Sequence, residues 1–489
     1  MEGSTMQEGY IIVDIGTGNV RVAVAAKSGE ILGVERDNMP YQTDEHYPES
    51  IFFDPEQLWR IISNLARTAL SKVPGINIKA LTATSQREGI VLIGHKGESL
   101  IGLPNIDHRG REWEHLITDK SYVYELTGRY PTSLFSALKL VGVRERRPEL
   151  WEACATFLSI SDWAQFKLSG VARYEHSQAS ETLLYDVAQK SWSPELSSLF
   201  QLEADFLPEL GASGTILGPV LPQIAQNFTI SPEAQVIIGG ADTQLAVKGT
   251  QPQLEDVVIV SGTTTPLIKL VNEYITDHKE RSWTNRHIDE NSFVLETNAG
   301  VTGLNYQRLK EIFYPHESYE VIEQELSQVK NVHCVASLGS LVADEKSPVT
   351  KGGFIFPAPV SHVLTRAHFV WATLWDIACS IKENYGTLSA ISANERDYVW
   401  ACGGGFQSKL LRKFIANLLN KKVYIRSSYQ QSSVVGGVFI CNEALGETGN
   451  SAGSTTVVEP QETGNYTALY EEWKRNRQTF KQLCLEEVV

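Results

Sequence analysis

Residues 13–25 read "VDIGTGNVRVAVA". Val13 ends an apolar run, Asp14 interrupts it, and Gly16-Thr17-Gly18-Asn19 has the composition of a turn. Three readings compete: a dinucleotide fingerprint, a phosphate clamp of another kind, and a plain β-hairpin. A dinucleotide fingerprint needs its glycines to open a helix directly after the strand. Here the glycines lead into "VRVAVAA", a Ser28-Gly29 turn and "ILGVERDN", whose alternation predicts two further strands, and Arg21 stands where the third glycine would fall. The dinucleotide reading fails on that order.

The arrangement recurs at residues 256–271, "DVVIVSGTTTPLIKLV", where an apolar strand enters a Gly262-Thr263-Thr264 turn and a second strand leaves it. Singly, each stretch is an ordinary hairpin. Two of them half a chain apart predict a duplicated architecture. Between them, "AQVIIGGADTQLAVKG" carries Asp242 at a predicted strand end, after small residues that would admit a substrate. A carboxylate so placed suits a general base, and it equally suits a helix N-cap. A third glycine-rich stretch, "WACGGGFQSKLLRKFIANLL", predicts a strand, Gly403-Gly404-Gly405, and an amphipathic helix leaving the glycines with free N–H groups toward a polar or anionic ligand. A tight strand-to-helix connection explains it as well.

The first predicted helix is "DPEQLWRIISNLARTAL", with Asp54 as N-cap, Pro55 at the first position and Gln57 completing a capping box. Leu58, Ile61, Ile62, Leu65 and Ala69 form its apolar stripe. The chain's 489 residues favour two or more domains, and 42% hydrophobic with 21% charged residues is an ordinary globular balance. A formal charge of −15 argues against nucleic acid as a partner. Six scattered cysteines form no zinc set and suit reduced, mostly buried thiols in a cytoplasmic protein. "MEGSTMQEGY" has no signal-peptide pattern, and no apolar run approaches the roughly 18 residues of a membrane span. No Walker loop, HExxH or GxSxG occurs, and His108 reads as a surface or hydrogen-bonding residue.

Taken in order, "DIGTGNVR", "SQREGIVL", "SDWAQFKLSG", "GGADTQ", "SGTTTP" and "ACGGGFQSKLLRKFIANLL" resemble the FGGY carbohydrate kinases, a branch of the actin-like ATPase superfamily. The closing "YTALYEEWKRNRQTF" is similar to that family's C-terminal helix. The resemblance implies an α/β fold of two RNase H-like domains, 1–248 and 249–489, with a ligand cleft between them. It implies ATP and Mg²⁺ as cofactors and a small hydroxylated carbohydrate as substrate, with no nucleic acid and no membrane as partners; a homodimer is one of the family's states. By motif, Gly16, Thr17 and Asn19 form a first phosphate loop, and Gly262, Thr263 and Thr264 a second. Asp14 and Asp242 stand on the metal side, Gly403, Gly404, Gly405 and Phe406 at adenosine. Asp242 corresponds to the catalytic base, while Gln86, Arg87, Glu88, Asp242 and Gln244 face the acceptor.

The acceptor is less legible. Arg87-Glu88 resembles glycerol kinases and differs from the Met-His-Gly of xylulokinases, whereas "REGIVL", "SDW" and "DTQL" look most like autoinducer-2 kinases. Leu134 stands where glycerol kinases have a tyrosine. Gln431 replaces a family glutamate, Phe52 an acidic residue, and the segment after "GGFIFPAPVSH" is shortened. The expectation is phosphorylation of an autoinducer-2-like hydroxyketone or a pentulose. A glycerol or polyol kinase and a non-catalytic sugar or nucleotide sensor are the alternatives.

Overall fold

The computed structural model describes residues 7–47, 50–330, 334–338, 351–448, 450–451, 453–461 and 465–485. In it the opening stretch is a hairpin: Glu8–Ile15 (β1) pairs antiparallel with Asn19–Ala26 (β2), Asp14 opposite Arg21. β2 pairs in turn with Ile31–Asn38 (β3). On its other side β1 runs parallel to Asn77–Ser85 (β4), and β4 runs parallel to Gln235–Ala241 (β5). Ile216–Pro219 closes the edge beside β5, completing a six-stranded sheet.

The second half repeats this order. Val257–Val260 (β6) pairs antiparallel with Thr264–Val271 (β7). Trp283–Arg286 (β8) and Phe293–Val301 (β9) extend the sheet beyond β7. Tyr398–Cys402 (β10) runs parallel to β6, and Lys422–Arg426 (β11) parallel to β10. The orders β3-β2-β1-β4-β5 and β9-β7-β6-β10-β11 therefore match strand for strand, directions included. Apart from Glu8, every residue of β1 is buried, as expected of a strand covered on both faces.

Pro55–Ser71 (α1) packs on β2 and β3. Asp54 caps it through the Glu56 N–H, one residue short of a capping box, and Gln57 makes no return bond. Leu58, Ile62 and Ala69 are buried, while Ile61 and Leu65 lie half-buried at the stripe's margin. Five cysteines, at 154, 334, 379, 402 and 441, are free and buried; the Cys484 side chain falls outside the described residues.

Three further helices decide how the halves meet. Asp242–Thr250 (α2) follows β5 directly, Arg366–Ile391 (α3) is the long helix behind the second sheet, and Lys409–Leu419 (α4) follows the Gly403–Gly405 turn. Ser432–Ala444 (α5) then leaves the second half and lies across the first sheet, its Val434, Val435, Val438 and Phe439 packed with Tyr10, Ile12, Ala23 and Ile237. α2 faces the other way as well, packing Ala246 and Val247 with Val258, Ile268 and Trp400 of the second sheet. The two helices cross at glycines. A Cβ on Gly249 would lie 2.0 Å from the Ser432 carbonyl oxygen, and one on Gly436 2.0 Å from the Leu245 carbonyl oxygen. Tyr466–Leu485 (α6) docks on α3 through Asp376, which accepts from Trp473 Nε1 at 2.7 Å and Arg477 Nη2 at 2.6 Å.

The crossing yields a paired prediction. Gly436→Ala forces backbone against backbone and should lose about 1–3 kcal/mol or more. Gly386→Ala, on α3 with nothing within 4 Å of the added methyl, should gain about 0.5–1 kcal/mol. Urea-unfolding midpoints measure both; an unchanged midpoint for Gly436→Ala would contradict the close crossing.

Candidate active site

Register aligns the C-terminal ends of the parallel strands. Asp14 of β1 sits beside Thr84 of β4, and Thr84 beside Gly240 of β5, so the loops beginning at Gly16, Gln86 and Asp242 leave one edge of the first sheet. In the second sheet Val260 of β6 sits beside Cys402 of β10, so the turns at Ser261 and Gly403 also share an edge. Crevices at the carboxyl ends of parallel strands are where open α/β sheets bind ligands.

The two edges face each other through a chain of contacts. Asp14 Oδ2 accepts from Arg21 Nε at 2.9 Å, Arg21 Nη2 at 2.6 Å and Ser433 Oγ at 2.6 Å. Arg21 Nη1 donates to Gln431 Oε1 at 2.8 Å. Two residues earlier, the Tyr429 carbonyl accepts from Gly403 N at 2.7 Å, and Gly405 N reaches the Ser261 carbonyl at 3.3 Å. The first hairpin loop, the start of α5, the third glycine turn and the second hairpin loop are thus one connected set. Gln431, which departs from the family pattern, is one of its links.

Gly16 and Thr17 are half-buried and Asn19 is exposed, while Gly262 and Thr263 are exposed and Thr264 half-buried. Both loop tips are therefore open to a ligand. The glycine turn differs from the sequence expectation. Residues 404–407 form a 3₁₀ turn, and α4 begins only at Lys409, capped by Ser408. The N–H groups of Gly403, Gly405, Phe406 and Ser408 all bond to backbone carbonyls, so they are not the free donors that were expected. Gly403 and Gly405 serve close approach: Gly403 has φ +97°, a Cβ there would meet the Ser261 carbonyl at 2.2 Å, and one on Gly405 the Ser261 hydroxyl at 2.0 Å, whereas Gly404 has open space beside it and no partner for its N–H among the described residues. Phe406 is wholly buried in the core beneath the turn.

Asp242 is the first residue of α2; the N-cap position falls to Ala241, which corrects the N-cap alternative. Its Oδ1 accepts from Thr243 N at 2.6 Å and Thr243 Oγ1 at 3.2 Å, and among the described residues nothing donates to Oδ2. Burial pushes its pKa up to about 6; Asp14 adds to the rise and Arg87 opposes it. The backbone that carries it is held by side chains. Gln165 Oε1 accepts from Gly239 N at 2.5 Å and Ser177 Oγ from Ala241 N at 3.0 Å. Asp162 orients Gln165 by accepting from its Nε2 at 3.1 Å, which gives the "SDWAQ" motif its structural task.

On the acceptor side the expected residues divide. Gln86 is a brace: its Nε2 donates to the Gly16 carbonyl at 3.0 Å and to Tyr41 Oη at 3.2 Å, and its Oε1 accepts from Asn105 N at 2.9 Å. Arg87 pairs with neither its neighbour Glu88 nor open space. Its fork grips Glu296 of β9 at 2.5 and 2.9 Å, joining the two halves. Glu88, at φ 63°, is buried, and burial followed by nearby Glu181 raises its pKa. Gln244 is wholly buried and donates to the Arg286 carbonyl at 3.3 Å. His108 bonds Ser133 Oγ at 3.1 Å, as a hydrogen-bonding residue should.

The sequence reading missed Glu296, Ser433 and the real role of Arg21. Arg21 was readable, because a hairpin centred between Thr17 and Gly18 places it opposite Asp14. Glu296 was signalled only as a lone acid in the apolar run "FVLETN".

Among the described residues no three His, Cys, Asp or Glu side chains are arranged to hold a metal. Mg²⁺ needs no such cage, since it keeps waters and binds through one or two carboxylates plus substrate phosphates. Asp14 fits that requirement with Oδ1, because all its protein bonds fall on Oδ2.

Two sheets of matching order, each with its parallel strand ends at one crevice, define a two-domain α/β fold. Residues 9–249 match the N-terminal domain, and residues 258–445 the C-terminal domain, of the FGGY family of carbohydrate kinases, and the chain belongs to that family. Its members use ATP. YoaC of Bacillus subtilis (strain 168), which carries the sugar-kinase name provisionally, is 52% identical over 97% of this chain and 98% of its own. The autoinducer-2 kinase of Salmonella paratyphi A (strain ATCC 9150 / SARB42) is 25% identical over 84% of this chain and 82% of its own. The ligand-bound xylulose kinase of Lactobacillus acidophilus shares the fold with a TM-score of 0.83 at 16% identity, over 96% of this chain and 98% of that one. Among the described residues no helix is long and apolar enough to cross a membrane.

The Arg87–Glu296 pair is testable by a double-mutant cycle. Arg87→Met strands a buried carboxylate and should lose about 3–5 kcal/mol. Adding Glu296→Leu should recover much of that loss, measured by urea unfolding. Simple additivity of the two substitutions would show that they do not interact.

Proposed function

We propose that this protein phosphorylates a hydroxyl of a small ketose or linear hydroxyketone with Mg-ATP, Asp242 acting as general base. An autoinducer-2-like hydroxyketone or a pentulose is the favoured acceptor. The division of labour puts residues 1–248 on acceptor and base, and residues 249–489 on the second phosphate loop and adenosine. The observation that carries this reading is Asp242 itself: a carboxylate at the shared strand edge, one oxygen held by Thr243 and the other given no donor by the described residues, with its pKa brought up to about 6. A base is most effective when its pKa lies near the working pH.

In this reading the nucleotide phosphates lie between the loops of Gly16–Asn19 and Gly262–Thr264, with adenosine against Gly403–Gly405 and Phe406 beneath. Mg²⁺ carried with the nucleotide would neutralise phosphate charge, held by Asp14 Oδ1 and Asp242. Arg21 and Ser433 keep the Asp14 carboxylate oriented. Asp242 Oδ2 takes the proton of the attacking hydroxyl, while Gln165 and Ser177 fix the backbone beneath it. Leu134 leaves no tyrosine hydroxyl at the acceptor, which sets the glycerol reading behind the ketose reading.

Asp242→Ala should lose roughly 10²–10⁴-fold in turnover while still binding ATP, as read by coupled ADP release and nucleotide titration. The ionised carboxylate is the active form, so kcat/KM should fall about ten-fold per pH unit below an inflection near 6. Folding raises this pKa above the unfolded value, so the stability it contributes at low pH is lost as pH rises through about 6. Asp242→Asn should therefore keep or raise Tm at pH 7. Near-native phosphorylation by Asp242→Ala would refute its role.

A further inference from the structure

Six ionisable side chains converge where the loop after β4 faces the second half: Arg87, Glu88, Arg129, Lys139, Glu181 and Glu296. Each cation is already committed. Arg87 holds Glu296 by both arms. Arg129 bonds Glu181 and lies 4.6 Å over the Trp283 ring. Lys139 donates to the carbonyls of Leu134 and Asn105.

Acceptors, by contrast, are left over. Glu181 Oε1 takes Arg129 and also Asn285 Nδ2 at 2.6 Å, whereas Glu181 Oε2 and Asn285 Oδ1 have no partner among the described residues. Nor does any described residue donate a hydrogen bond to the Glu88 carboxyl. Beside these acceptors Arg129 keeps two unbonded donors, Nε and Nη1. A hydroxyl group, which donates and accepts at once, satisfies both sides of such a set. A carboxylate or phosphate only accepts; it would meet Glu181 and Asp242 while Arg129 and Arg87 are already neutralised by Glu181 and Glu296, and like charges in a low-dielectric site repel strongly.

The formal balance points the same way. Three cations stand against three carboxylates, and Glu88 with Lys139 contributes zero net charge whether the two are ionised or neutral. Burial drives both of them toward the neutral forms. Asp242, nearby through Arg87, leaves the neighbourhood negative rather than positive.

We infer that Glu181 is the side chain that turns acidic sugars away from this acceptor site. Glu181 does this by cancelling the charge of Arg129 while offering Oε2 to an acceptor hydroxyl. The inference rests on the proposed placement of the acceptor at this end of the cleft, and not on what is then done to it. Glu181→Gln would preserve size and hydrogen bonding but release Arg129 as a cation able to take a carboxylate bidentately.

Calorimetric titration in the presence of a non-hydrolysable ATP analogue tests it. The full-length protein is titrated with neutral compounds (D-xylulose, D-ribulose, dihydroxyacetone, glycerol) and with aldonates (D-gluconate, D-xylonate). The native protein should bind at least one neutral compound 100-fold or more tighter than either aldonate. Glu181→Gln should bind that compound at least ten-fold more weakly and bind an aldonate measurably, with affinity for the ATP analogue unchanged. Equal or tighter aldonate binding by the native protein overturns the inference, as does binding of neither class. An unaltered neutral-to-acid ratio in Glu181→Gln removes Glu181 from it. Neutral binding without phosphoryl transfer from ATP leaves the charge selection standing and overturns the kinase reading of the site.

Discussion

Two carbonyl oxygens, those of Leu245 and Ser432, lie where side chains would have to be if Gly436 and Gly249 were any other residue. That contact lets α2 and α5 cross backbone to backbone, and the crossing is the layer between two twisted sheets. A methyl group at either point would push the helices apart. Separation there would move Ser433 and Gln431, at the start of α5, away from Asp14 and Arg21 on the first hairpin. The geometry of the candidate site therefore depends on how closely these two helices cross.

At the cleft the two halves are joined by charge as well as by the edge-on contact of Phe135 with Trp283. Arg87 and Glu296 are buried, and their bidentate geometry compensates a desolvation that neither could sustain alone. Around them the protein leaves acceptors unsatisfied at Glu181 and Asn285, the kind of deficit that buried polar groups rarely carry without a purpose. The two hairpin loops are open at their tips while hydrogen bonds tie them together.

Much of this was readable in the chain. The two strand–turn–strand stretches became β1–β2 and β6–β7, and their half-chain separation corresponds to two sheets of matching order. Asp242 fell at a strand end as expected, although Ala241, not the aspartate, takes the cap position. The glycine turn misled, because a run of glycines reads alike whether its N–H groups await a ligand or its missing Cβ atoms admit a neighbouring strand. Ser261, from the distant second hairpin loop, supplied the neighbour. Gln86 reads as a substrate contact because it lies between Ser85 and Arg87, yet its amide is spent on the Gly16 loop.

Sequence alone determined what depends on local pattern: the period of the strands, the turn residues between them, the repeat, and the placing of Asp14 and Asp242 at strand ends. These follow from steric preferences and hydrophobic alternation over a few residues. Only the tertiary structure decided which charges meet. Arg87 could have paired with Glu88 beside it, yet both of its arms go to Glu296, some two hundred positions on in the other half. Partner choice for a buried charge is settled by which groups lose their water together, and that is a property of how the two halves pack.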